Sequence, residues 1–500
     1  MKLHSARGEI ILPHWQYPIS HKRLNSARTE YDAVIIGSGP NGLSAAITLA
    51  REGWKTLVIE AAETIGGGMR TKELTRPGFL HDVCSAVHPT GIASPFFGSL
   101  KLQEHGLRWI HPEIPLAHPL DGGNAAVLHR SLEATADGLG ADGKRYRRMF
   151  ATLVENASKL YPSLFNPIAL PRHPFLMTRF GIPAAMPAQF LARTCFKTSE
   201  GRALFAGNAA HCVMPLNRAF TSAIGVLLQL SAHAVGWPVA EGGSQNIARA
   251  LASVLKQFNG EILCSRPIQS MGELPPARAY LFDTSPSVLA RIAGEHLPSR
   301  FRKRLNAFRH GPGIFKIDYA LSASVPWTNE SCRRAGTVHV GGTLSEVAES
   351  ERDAFEGRHS ERPFVLVSQQ SLADPSRAPA GHHTLWAYCH VPSHSTVDME
   401  PRITAQIERF APGFRDTILA RHTMNCRQVE AYNMNCTGGD IVGGVTDLAQ
   451  LITRPVARIS PYTTPNPTIF ICSASTPPGG GVHGMCGYNA ATTVLRRVRK

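Results

Sequence analysis

Gly37, Gly39 and Gly42, in the run Gly37-Ser38-Gly39-Pro40-Asn41-Gly42, have the spacing of a turn that can cradle phosphate. The first glycine lets a strand turn tightly, the second lets backbone approach a pyrophosphate, and the third lets the next helix pack on the strand. Phosphates would then face a helix N-terminus, whose free N–H groups and dipole favour negative charge. Glu60, about 20 residues further on, is placed to accept hydrogen bonds from ribose hydroxyls. An acid there disfavours a 2′-phosphate, so NADP is not the ligand expected at this turn. A second run, Gly66-Gly67-Gly68-Met69-Arg70, follows at once. Its glycines let the chain pass close to something bulky, and Arg70 brings a charge for phosphate. A simple NAD dehydrogenase has no need of this second loop, whereas an FAD stretched across a sheet does.

These residues need a strand, a helix and a second strand to hold them. Ala33-Val34-Ile35-Ile36 is an apolar run that breaks into the first glycine turn. Leu43, Ala46, Ile47, Leu49 and Ala50 then recur at helical spacing, and Thr56-Leu57-Val58-Ile59 leads into Glu60. That order is a βαβ unit with a parallel sheet. A helical pattern spans 242–258, Glu261-Ile262-Leu263 opens a strand, and Ala279–Phe282 forms another before Asp283-Thr284-Ser285-Pro286. Residues 311–395 alternate as β structure does. Thr468–Cys472 is a last apolar strand, followed by a glycine loop and a helix. Prolines crowd residues 151–192 among large apolar side chains, which suits a substrate lid, a membrane-touching segment or an ordinary packed region equally.

The chain has 500 residues, 43% hydrophobic and 18% charged, enough for about three domains or two interleaved ones. Disorder and a collagen-like repeat are excluded by this composition. Phe220–Ala240 comes nearest to a spanning helix, but Gln229, His233, Gly236 and Pro238 interrupt it, so a buried core helix is expected. The ten cysteines form no Cys-x-x-Cys pair and no zinc spacing, so free thiols, no redox disulfide and no metal are expected. No secretory signal precedes the fold, and an intracellular, cytoplasmic protein is expected. The net charge of +15 reads as attraction to an anionic membrane surface or as a plain solvated basic surface. No nucleic-acid motif accompanies it. No GxSxG elbow or P-loop is present either, so hydrolase and P-loop chemistry have no support.

The two glycine runs with Val58-Ile59-Glu60 resemble the FAD-binding start of the phytoene desaturase and amine oxidase superfamily of flavoproteins. Further segments resemble its phytoene dehydrogenase-related branch: HDVCSAVHPTGIASPFF, EGGSQNIARAL, GPGIFKIDYALSASVPW, HVGGT, IERFAPGF and PGGGVHGMCGYNAA. The resemblance runs from about Tyr31 to Val494. It implies an α/β fold, a Rossmann-type FAD-binding domain with an inserted α+β substrate domain. The expected layout is an arm over 1–30, FAD-binding pieces at 31–150, 241–285 and 431–500, and substrate-domain pieces at 151–240 and 286–430. It implies FAD contacts at Gly37, Gly39, Gly42, Glu60, Gly67, Gly68 and Arg70, with backbone near Ile268 at the adenine. Gly480, Gly481 and Val482 would approach the isoalloxazine, with a helix from about Gly487 aimed at it. The chain departs from the family pattern at Cys472–Thr476 and at Pro477-Pro478.

Flavin chemistry needs little acid–base help, only a C–H bond held against N5 in a dry slot. His88, His211 and Lys316 are the catalytic candidates. Each histidine is equally readable as a hydrogen-bonded structural residue. Lys316 and Asp318 share a strand face, either as a buried pair or as a solvated one. His483 is a candidate for the isoalloxazine edge, and Cys486 for a flavin neighbour or attachment point. The resemblance implies an FAD-dependent oxidoreductase that removes hydride from, or isomerises, a hydrophobic polyene or lipid-like substrate. A flavin-binding scaffold protein and an amine oxidase are the alternatives. Expected partners are a hydrophobic small molecule, an electron acceptor (oxygen, a quinone or NAD(P)), peripherally the inner membrane, and a second copy of the chain.

Overall fold

The computed structural model describes residues 30–167 and 169–498. All but the last residue of the expected N-terminal arm lies outside them. The chain begins with β1 (Tyr31–Ile36), α1 (Pro40–Arg51), β2 (Thr56–Ile59), β3 (Ile114–Pro119) and β4 (Ala125–Leu128). Helices α2 (Pro174–Ala185), α3 (Ser199–Ala209), α4 (Ser222–Ala234) and α5 (Gln245–Gln257) follow, then β5 (Glu261–Leu263) and β6 (Ala277–Phe282). Next come α6 (Pro286–Ala293), β7 (Gly313–Leu321), β8 (Ala335–Val340) and α7 (Leu344–Phe355). The chain ends with β9 (Val365–Ser368), β10 (His383–Val391), β11 (Ile418–Met424), β12 (Ile469–Ile471) and α8 (Met485–Val498).

Five strands form a parallel sheet in the order β12-β6-β1-β2-β5. Its central strands are apolar on both faces, as parallel strands covered by helices on both sides must be. The periodic residues Leu43, Ala46, Ile47, Leu49 and Ala50 of α1 are buried on one face. The closing helix α8 packs beside α1, where a Cβ added at Gly487 would lie 3.0 Å from the amide nitrogen of Ala45.

The second sheet has seven strands in the order β11-β7-β10-β9-β8-β3-β4, antiparallel except for the β8–β3 pair. Along most of these strands the side chains alternate. Ile317, Tyr319, Leu385, Ala387, Val338 and Val367 fall on one face and join one hydrocarbon core. Lys316, Asp318, Trp386, Tyr388, Thr337 and His339 fall on the other, since successive strand residues point to opposite faces.

Two expected boundaries move. β3 and β4 lie within 31–150, yet they belong to the second sheet because Ile114 and Leu116 pair with Ala335 and Thr337. Residues just after 286 belong to the first sheet, where Leu289, Phe301 and Leu305 share a core with Val34, Ile36 and Phe282. The open face of a parallel sheet requires that helical cover. The interrupted apolar stretch near 220–240 is the buried helix α4. Among the described residues no helix is long and apolar enough to cross a membrane. All ten cysteines are free.

Candidate functional site

A cavity of about 610 Å3 is lined by residues of both sheets. At one end its wall contains Gly37, Gly39, Glu60, Gly67, Gly68 and Ile268. Gly37 has φ +103°, a conformation that favours glycine. A Cβ at Gly67 would lie 3.1 Å from the Cα of Gly39, so the two glycine loops touch. Gly42 is not on this wall. A Cβ there would collide with the carbonyl oxygen of Gly37, so its part is to let α1 lie against the turn.

Glu60 ends β2 and is nearly fully enclosed. Its carboxylate accepts hydrogen bonds from the amides of Ser38 (3.0 Å) and Ala62 (2.9 Å) and from the Ser38 hydroxyl. Arg70 lines the same cavity, but not as a free charge for phosphate. Its guanidinium pairs with Glu60 at 3.1 Å and donates to the carbonyl of Thr64 at 2.9 Å. The acid at the strand end captures the nearest cation, so the two charges cancel beside the ribose position.

Asp283, which the sequence reading passed over, ends β6 against the glycine turn. Its Oδ2 accepts the amide hydrogen of Gly42 at 2.8 Å. Burial pushes its pKa up to about 7; the Gly42 amide opposes that rise and the Glu60 charge adds to it. The signal available in sequence was an acid directly after an apolar strand, but only the approach of β6 to β1 gives it a role.

Farther along, Gly480, Gly481 and Val482 line the cavity together with Asp440 and Gly443. Asp440 gathers the amides of Val442 (2.8 Å) and Gly444 (2.8 Å), which fixes that loop. The buried guanidinium of Arg454 donates to the carbonyls of Gly443 (2.6 Å), Ala474 (3.0 Å) and Ser475 (3.2 Å). His483 is not an edge residue of this cavity. Its Nδ1 accepts the amide of Met485 at 3.0 Å and so caps α8, while its ring lies 5.3 Å from that of Phe165. Cys486 is likewise buried behind the wall, with Sγ toward the carbonyl oxygens of Thr476 and Gly479; burial pushes its thiol up to about 11.

The other end of the cavity is the polar face of the second sheet, where Thr337, Leu366, Ser368, Trp386 and Tyr388 form the floor. Ile224 and Leu228 of α4 form an apolar side wall, and His211 stands beside them. Lys316 and Asp318 are a buried ion pair, so the solvated-face reading fails; the rest of the molecule covers that face. Lys316 lies beside the floor on the same face but off the cavity wall, with Nζ 5.9 Å from the ring centroid of Trp386. Burial alone would raise Asp318, but the Lys316 charge overrides it and holds the carboxyl below its usual range. His88 is also off the cavity. Its Nε2 pairs with the Ser244 hydroxyl at 2.9 Å, and Ser244 is tied in turn to Asp82, which Arg377 neutralises at 2.8 Å. The structure therefore brings His211 into the site, sets Lys316 beside the floor but off the cavity wall, and leaves His88 in a structural network.

The NAD(P)-binding Rossmann-like domain family matches residues 35–99. Pyridine nucleotide-disulfide oxidoreductase domain-containing protein 2 of Rattus norvegicus is 26% identical, over 94% of each chain. All-trans-zeta-carotene desaturase of Myxococcus xanthus is 23% identical, over 72% of each. A triple mutant of putrescine oxidase shares the fold, with TM-score 0.62, 17% identity and coverage of 93% of this chain and 99% of that one. The proteins just named are oxidoreductases; over most of its length this chain is similar to them in sequence or fold, and its residues 35–99 match a Rossmann-like dinucleotide-binding domain.

Proposed function

We propose that the protein is an FAD-dependent oxidoreductase that removes hydride from an apolar, lipid-like substrate. The observation that carries this reading is the continuity of one cavity from two touching glycine loops to a floor of Trp386, Tyr388 and Leu366. The residues fit a flavin dinucleotide. Gly37 and Gly39 leave no room for a Cβ and Gly67 leaves little, Glu60 stands where a ribose would lie, and Gly480–Val482 continue the wall beyond a mononucleotide's reach. FAD held there would supply a two-electron acceptor for a C–H hydride.

The chain's own residues do the rest. The amides at the start of α1 would hold pyrophosphate. Ile224, Leu228 and Leu366 would bind hydrocarbon and exclude water, and the Arg454 guanidinium would favour negative charge near the Gly480 loop. Trp386 and Tyr388 meet edge to face, 4.9 Å apart at 79°, which is no parallel pair for flanking an amine. That geometry supports an apolar substrate over an amine. Oxygen, a quinone or NAD(P) would reoxidise the cofactor.

Exposed Leu170, Phe175, Ile182 and Phe190 lie within residues 143–198, which hold nine lysines and arginines against one acid, Glu155. They support delivery of the substrate from an anionic bilayer surface. Sedimentation with anionic liposomes at low salt checks that part, and a protein left wholly in the supernatant would end it.

The test of the main reading is the visible spectrum of the purified protein before and after anaerobic addition of apolar compounds and amines. Flavin bands that bleach with apolar compounds are expected. Absence of flavin after incubation with FAD, or bleaching by amines alone, would overturn the reading.

A further inference from the structure

The cavity floor carries more hydrogen-bonding capacity than a hydrocarbon could use. His211 stands on the wall, and its Nε2 lies 3.1 Å from Nε2 of His339 on β8. His118, on the adjacent strand β3, sets its ring at 89° to that of His339, with centroids 6.3 Å apart. His390 of β10 pairs through Nδ1 with Glu351 of α7 at 2.8 Å. α3 makes room for this group at Gly207, where a Cβ would come within 2.7 Å of Nδ1 of both His118 and His339. Four imidazoles and a carboxylate thus converge from five elements behind one edge of the cavity, and of them only His211 lines it.

Their valences are not all filled. Nδ1 of His118 and of His339, Nε2 of His390 and Oε2 of Glu351 are buried without partners. On the floor itself, Trp386 Nε1 and Ser368 Oγ are buried and unpartnered too. Buried polar groups are normally hydrogen-bonded, and exceptions concentrate where a ligand or a reaction uses them. Those orphaned atoms do not open onto the cavity, but the imidazole of His211 and the floor residues Thr337, Ser368 and Tyr388 do line it; a pure hydrocarbon would use none of these polar groups, whereas an oxygen on the substrate would.

We infer that the substrate bears a hydroxyl group on the carbon that loses hydride, and that His211, oriented by His339, takes the hydroxyl proton. This inference rests on the function proposed above. In the step, the C–H bond breaks with its electron pair passing to the oxidised flavin of that reading. The O–H bond breaks with its proton passing to the imidazole of His211, and a C=O bond forms. The substrate is oxidised by two electrons and the flavin is reduced by two. Burial, with His390 adding, pushes His211 down to about 3, so the ring is neutral but a weak base; it would take the proton as the hydride leaves, when the O–H on the forming carbonyl is strongly acidic. The titratable groups facing it are His339 from β8, His118 from β3, His390 from β10 and Glu351 from α7. His211 would be catalytic; His339 does not touch the cavity and is a positioning residue.

The test uses the flavin-loaded full chain in anaerobic stopped flow, with medium- and long-chain secondary and allylic alcohols set against their parent hydrocarbons. Bleaching by alcohols and not by the hydrocarbons is expected, with a solvent deuterium isotope effect. His211→Gln should slow bleaching by about 100-fold or more while flavin content and melting temperature stay near wild type. His339→Gln should slow it less and change the pH profile of the reductive step, which loss of a packing residue alone would not do. Bleaching by hydrocarbons as fast as by alcohols, or by no alcohol in the series, overturns the inference. The first of those outcomes leaves the proposed function standing, whereas absence of bound flavin defeats that reading instead. The wild-type comparison decides the matter even if a histidine variant fails to fold.

Discussion

Asp283 and Gly42, 241 residues apart in the chain, meet where the carboxylate of one accepts the amide hydrogen of the other at 2.8 Å. That amide opens a helix whose N-terminus faces the cavity, so a carboxylate sits where phosphate charge is expected. With its pKa pushed up to about 7 from 3.8, the folded protein keeps a proton that the unfolded chain has lost between those values. The stability this contributes is present below about pH 4 and fades as pH rises to about 7. Asp283→Asn keeps an acceptor for Gly42 and cannot ionise. It should flatten this decline, which at about 1.4 kcal/mol per unit amounts to the order of 4 kcal/mol. Urea denaturation at several pH values checks it; an unchanged slope would mean that Asp283 is ionised throughout.

Gly42→Ala forces a methyl group against the carbonyl of Gly37. Strain of this kind costs about 1–3 kcal/mol, and here it would also lift α1 off the turn. A lower melting temperature together with flavin content reduced by tenfold or more is expected. On the proposed reading, a variant whose flavin content equals that of wild type would show that the turn can relax.

Lys316→Met leaves Asp318 buried without its cation, which typically costs about 3–5 kcal/mol. Lys316→Met combined with Asp318→Leu should recover much of that loss, since a well-packed apolar pair needs no compensation. Denaturation midpoints of the two singles and the double form the cycle. A double variant no more stable than Lys316→Met would contradict the pairing.

Cys486, with its thiol pushed up to about 11 and directed at two carbonyl oxygens, should be unreactive in the native state. Iodoacetamide near pH 8 should leave it unlabelled by mass spectrometry until the protein is unfolded. Flavin should be released by acid precipitation, with no covalent adduct at this residue. A flavin peptide containing Cys486 would reverse that expectation.

How far the sequence is legible follows from the range of each interaction. β1, α1, β2 and Glu60 lie within thirty residues of one another, and periodicity plus glycine spacing describe them well. The alternation of Lys316 and Asp318 also shows that they share a face. Their burial is not readable, because what covers that face is the rest of the molecule. Arg70 looks like a phosphate ligand until the fold brings it to Glu60. His211 and His339 are 128 residues apart, and nothing local marks either as a partner of the other. His483 sits in the expected loop, but the start of α8 at Met485 turns its ring into a cap.

The order of strands in the dinucleotide sheet also has a consequence in time. β6 is flanked on one side by β1 and on the other by β12, which follows every strand of the second sheet in chain order, and α8 then closes over α1. During synthesis, the edge of β6 stays unpaired until residue 471 has left the ribosome, and Gly480–Val482 arrive later still. The nascent chain therefore completes the wall of the cavity only after Val482 has been made. Until then it exposes the kind of strand edge that invites aggregation.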